Sequence, residues 1–109
     1  MGLKRGAIVV VALQGDYGKP RPALVVQSEM FSTLPSVTVL PITSDLRDAP
    51  LYRIGIEASP ETGLHKPSQI MVDKSQTIPR EKIGQIVGHL DDGMMVSVNR
   101  AMALFLGFA

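Results

Sequence analysis

The sequence predicts a mostly β fold of the α+β class, or a barrel with one appended helix, and two features carry that expectation. Short apolar runs rich in β-branched residues recur between Gly- and Pro-bearing breaks. A single stretch near the C-terminus instead spaces its apolar residues three and four apart, as an amphipathic helix requires. At 109 residues the chain has room for one domain, expected over 1–109.

Ala7 to Leu13 (AIVVVAL) reads as a largely buried first strand that ends at Gln14-Gly15-Asp16. Gly15 to Pro22, with two glycines and two prolines, reads as a loop. Ala23 to Gln27 and Val37 to Ile42 are the next strands, with Pro41 marking an edge or bulge near the end of the latter. Between them, Ser28 is placed to cap one helical turn over Glu29, Met30 and Phe31.

Leu51 to Glu57 alternates, with Tyr52, Ile54 and Ile56 on one side, and fits a strand with one buried face. Ser59 to Pro67 is a loop, and Ser68–Val72, Ser75–Ile78 and Lys82–Leu90 are short strands. The terminal helix follows Asp91-Asp92, whose charge suits a helix N-terminus, and stops at Gly107. Its apolar stripe is Met94, Met95, Val98, Ala101, Met102 and Phe105.

Apolar residues make up 45% of the chain and charged ones 19%, values of an ordinary globular domain rather than a disordered one. The absence of cysteine removes disulfides, thiol nucleophiles and thiolate metal sites. Two separated histidines, His65 and His89, make a poor zinc site, and no metal or cofactor is expected. The apolar run after Lys4-Arg5 is too short to span a membrane, so a cytoplasmic protein is expected. A net charge of +1 means that any nucleic-acid binding must rest on local clusters.

No GxSxG, P-loop, Rossmann or HExxH string occurs. Three polar clusters remain. In the first, Arg21 sits between Pro20 and Pro22, which restrict its backbone and hold a fork of donors suited to phosphate. An ordinary surface arginine paired with Asp16 or Glu29 fits the same residues. In the second, an apolar strand runs into Thr43, Ser44 and Asp45, which serve equally as substrate contacts or as a turn. The third, Asp73-Lys74-Ser75-Gln76 between two strands, also reads as a bulge or tight turn. His65 in a loop and His89 in a strand are not expected to be catalytic.

The strings KRGAIVVVAL, GKPRPALVVQS, VTVLPITSDL and QIMVDKSQTIPREKIGQIVGHLDD, in that order and followed by the helix, resemble the MazF/PemK/Kid family of toxins from toxin–antitoxin operons. The resemblance runs nearly the whole chain. It implies a CcdB/MazF-like fold, an SH3-like barrel with a C-terminal α-helix, forming a homodimer. It also implies sequence-specific, metal-independent cleavage of single-stranded RNA and neutralisation by a cognate antitoxin, with DNA met only through that antitoxin.

By position, the resemblance assigns catalysis to Arg21 and Thr43, with Asp73 a further candidate as base. Asp16, Tyr17, Lys19, Gln27, Ser44, Ser75 and Gln76 are the RNA-binding candidates, Tyr17 as a base-stacking ring. The chain departs from the family at Ala7, where an aspartate is usual, at Met71, where some members carry an arginine, and in a shorter loop before Arg21. The alternative is a non-enzymatic, CcdB-like gyrase-binding toxin, which shares the fold and has no need of the Arg21–Thr43 pair.

Overall fold

β1 (Ala7–Ala12) sends Ile8 into one apolar cluster and Ala7, Val9 and Val11 into another. Successive side chains of a strand point to opposite faces, so two buried faces demand an unbroken apolar run rather than alternation. β3 (Ser36–Thr43) divides in the same way, with Leu40 and Ile42 on the first side and Val37 and Val39 on the second. The structure is a computed structural model and describes residues 3–12 and 19–108.

The remaining strands are β2 (Pro20–Val25), β4 (Arg53–Ile56), β5 (Ser68–Met71), β6 (Gln76–Pro79) and β7 (Ile83–His89). All pair antiparallel in a seven-stranded sheet of order β4-β5-β3-β2-β1-β7, with β6 also on β3. β3 is the hub: β2 lies on one edge, while the other holds β6 as far as Val39 and β5 from Ile42. Pro41 falls at that change of neighbour, where a strand tolerates a residue without an N–H.

The C-terminal α-helix, α1 (Asp92–Leu106), begins as expected. Asp91 caps it, accepting from the Met94 N–H at 2.8 Å. Gly107 ends it in the left-handed region (φ 86°), and the Phe108 N–H returns to the Ala103 carbonyl at 2.7 Å. Met95 and Val98 are buried with Ile8, Leu24, Leu40, Ile70 and Val72, and Met94, Ala101 and Met102 pack against that cluster. Phe105 is the exception in the predicted stripe. Leu104, Phe105 and Leu106 are consecutive, a helix turns about 100° per residue, and all three stand roughly half exposed.

The second strand also departs from expectation, because β2 begins at Pro20 rather than Ala23. Pro20 and Pro22 pair with Ala12 and Val10 of β1, whereas the ladder to β3 starts only at Ala23. The prolines therefore sit where β2 has one neighbour, the edge condition under which a strand accepts them. The capped turn at Ser28 is present, with its Oγ accepting from the Met30 N–H at 3.2 Å.

The chain between β4 and β5 folds back across the far end of the sheet. Glu61 O accepts from the His89 N–H of β7 at 2.8 Å. Gly63 (φ 71°) packs on the Val87 carbonyl and Gly88 on the Thr62 backbone, so closely that a methyl group at either would collide. This loop links the two ends of the strand order and closes the sheet towards a barrel.

Candidate active site

Arg21 and Thr43 lie beyond the point where β2 and β3 cease to pair. The ladder there runs Val25↔Val39, Leu24↔Leu40, Ala23↔Pro41. Ala23 and Pro41 are a facing pair, and strand alternation puts Arg21 and Thr43, each two residues further along, on that same face. Both line one open groove of about 670 Å³. Arg21 is held in line by its pairing with Val11 of β1 and by the two prolines flanking it.

Thr43 is fixed from the other side. It pairs with Gln69 of β5, and its Oγ1 accepts from the Asp45 N–H at 3.0 Å. A hydroxyl that accepts in this way keeps its own hydrogen to donate. The turn after Thr43 is pinned by Arg53, which donates to Asp45 O at 2.9 Å and to Gln69 Oε1 at 3.1 Å. Gln69 also meets the Arg47 backbone twice, accepting from its N–H at 3.0 Å and donating to its carbonyl at 2.8 Å. The last residue of β3 is thus set by polar groups from β4, β5 and its own turn.

The loop between β4 and β5 adds Gly63, Leu64, His65 and Lys66 to the lining. Thr62, buried, is its hub: Oγ1 donates to Glu57 O at 3.0 Å and accepts from the Ser59 N–H at 3.2 Å. With Gly63 and Gly88 locking the crossing, the loop presents His65 and Lys66, both exposed, to the groove. Among the described residues, the charged or titratable side chains in the lining are Arg21, Asp45, His65 and Lys66. Val10, Pro22, Leu64, Met71 and Val87 supply apolar floor and walls.

Sequence reasoning set His65 aside and gave Lys66 no role. The Pro- and Gly-punctuated stretch around them identifies a loop but not its destination, which depends on contacts with Val87 and Gly88 far along the chain.

Of the other predicted residues, Ser44 lines the groove. Gln27 does not: its amide donates to Phe31 O and Ser36 O, both at 3.2 Å, and accepts from the Thr38 N–H at 3.0 Å, closing the β2–β3 connection. Lys19 is exposed just ahead of β2, Ser75 is exposed after the 3-10 turn Val72–Lys74, and Gln76 pairs with Val39. None of these three is in the lining. Asp73 occupies that 3-10 turn, outside the lining, with Oδ2 accepting from Lys74 Nζ at 3.0 Å and Oδ1 buried without a hydrogen-bond partner. Asp16 and Tyr17 lie outside the described residues. His89 borders a separate recess with Glu57, Glu61 and Asp91. Among the described residues, no helix is long and apolar enough to cross a membrane.

The same architecture recurs in known proteins. The structure of "Mycobacterium tuberculosis toxin MazF-mt6" superposes with a TM-score of 0.81 at 28% identity, covering 93% of this chain and 96% of that one. In sequence, the chain is 46% identical to "Probable endoribonuclease MazF" of Mycolicibacterium smegmatis, over 98% of this chain and 99% of the relative. It is 30% identical to "Endoribonuclease EndoA" of Bacillus subtilis, over 97% and 96% respectively. The family described as "PemK-like, MazF-like toxin of type II toxin-antitoxin system" matches residues 4–106. The chain belongs to the PemK-like, MazF-like toxin family.

Proposed function

We propose that this protein is a sequence-specific, metal-independent endoribonuclease toxin that cuts single-stranded RNA by attack of a 2′-hydroxyl on the adjacent phosphate. The observation that carries this reading is the meeting of Arg21 and Thr43 on one groove at the open ends of β2 and β3. Curated relatives named endoribonucleases support it.

Cleavage by this route requires removal of the 2′-hydroxyl proton, stabilisation of the charge that builds on the phosphorane, and a proton for the departing 5′-oxygen. Arg21 answers the second demand. Its guanidinium presents parallel donors that match two non-bridging oxygens, and it stays charged throughout. Thr43, whose hydroxyl hydrogen is not used by its bond to Asp45, holds the phosphate and orients the 2′-hydroxyl. The products are a 2′,3′-cyclic phosphate and a 5′-hydroxyl. Asp73, engaged by Lys74 away from the groove, is assigned here to its turn rather than to the base.

Residues 1–109 act as one domain, in the cytoplasm and as a homodimer, and a cognate antitoxin restrains them, in keeping with the two-component system for which the family is described. The test is cleavage of a short single-stranded RNA in EDTA by Arg21→Ala and Thr43→Ala. Loss of about 10²–10³ in rate is expected for each, the usual effect of removing one donor aimed at developing charge. Near-normal cutting by either variant contradicts the assignment.

A further inference from the structure

We propose that His65 is the general acid of this site, delivering the proton that the 5′-oxygen needs as it leaves. The proposal rests on the endoribonuclease reading above and assigns a role that Arg21 and Thr43 leave open. A guanidinium that keeps its proton and a threonine hydroxyl are both poor proton donors near neutral pH. Imidazole is the side-chain type suited to that task. Among the described residues lining the groove, His65 is the only one that carries it.

Topology brings that imidazole to the groove. In the strand order β4-β5-β3-β2-β1-β7, the β3–β2 pair bearing Thr43 and Arg21 is central. The β4–β5 loop spans from one end of that order to the other, tied to β7 through Glu61 and His89 and through the close packing of Gly63 and Gly88. His65 therefore reaches the same groove as the Arg21–Thr43 pair, from the loop that crosses to β7. Displacement at phosphorus places the entering and leaving oxygens in line, on opposite sides of the phosphorus. With the 2′-hydroxyl oriented by Thr43, the leaving oxygen is the one left for His65 to serve.

The 2′-oxygen bonds to phosphorus while its proton passes to the solvent in the open groove. The P–O5′ bond breaks, and the proton on the His65 imidazolium moves to O5′. The neutral imidazole then regains a proton from water. Among the described residues, Lys66, beside His65, and Asp45, in the turn after Thr43, are the other charges in the lining besides Arg21, and neither is required to move a proton. The loop is held by Thr62 hydrogen bonds and not by His65, which is exposed, so its replacement leaves the fold intact.

The experiment compares the unmodified protein with His65→Ala and His65→Gln on two oligoribonucleotides. Both contain the cleaved bond, located first by mapping new 5′ ends on a mixed-sequence RNA. One has the natural 5′-oxygen at that bond and the other a 5′-bridging sulfur, which departs as a thiolate without protonation. The expected result is a loss of about 10²–10⁴-fold on the oxygen substrate, the usual worth of a general acid, with near-normal cutting of the sulfur substrate. Full activity of the variants on the oxygen substrate overturns the proposal. So does an equal loss on both substrates, which marks a binding or structural role. If the unmodified protein cuts neither substrate nor the mixed RNA, the endoribonuclease reading itself fails.

Discussion

Arg21 and Thr43 line one groove just beyond Ala23↔Pro41, the last pair of the β2–β3 ladder. Two strands that diverge at that point leave polar side chains unburied while their backbones remain fixed by β1 and β5. The arrangement is a preorganised clamp, in which the arginine supplies charge and the threonine supplies position. Arg21→Lys keeps the charge and loses the planar fork, so cleavage is expected to fall well below that of the unmodified protein. Single-turnover rates on a short RNA check it, and a lysine variant as fast as arginine would show that charge alone suffices.

Thr43→Val separates the hydroxyl from the shape of the side chain. Stability is expected to drop by only about 1 kcal/mol, for the lost bond from the Asp45 N–H, while cleavage falls by far more. Urea melts and RNA cleavage on the same preparation test this. Parallel losses in both would mean that Thr43 is merely a turn residue.

Gly63→Ala forces a side chain into the left-handed region and onto the Val87 carbonyl. A cost of about 1–3 kcal/mol is expected, together with slower cleavage because the wall carrying His65 and Lys66 is displaced. Chemical denaturation measures the first and RNA cleavage well below the melting temperature the second. An unchanged cleavage rate in a destabilised variant would detach the loop from the chemistry.

Asp73→Asn is expected to leave cleavage near that of the unmodified protein, since Asp73 lies outside the groove lining and is paired with Lys74. A loss comparable with that of Arg21→Ala would restore Asp73 to the reaction.

Local chemistry made much of this fold legible. Asp91 and Gly107 delimit α1, Ser28 caps its turn, and the β-branched runs mark β1 and β3. What local patterns missed depends on partners distant in sequence. Pro20 and Pro22 read as loop because proline usually interrupts a sheet, yet β2 begins there with β1 as its one neighbour. Phe105 fitted the helical stripe, but nothing in its spacing tells where the body beneath the helix ends. At the site, Arg21 and Thr43 were reached through strings that resemble a family. His65 carries no such local signal, because the return of its loop across β7 depends on Gly63 meeting Val87 and Gly88 meeting Thr62, contacts distant in sequence.

The decisive assay is incubation of a mixed-sequence single-stranded RNA with the unmodified protein and with Arg21→Ala in EDTA, followed by analysis of the new ends. Discrete cuts ending in 2′,3′-cyclic phosphate and 5′-hydroxyl are expected for the unmodified protein, with their near-disappearance in the variant. Cleavage that needs added metal, or that survives unchanged in Arg21→Ala, would contradict the proposed function.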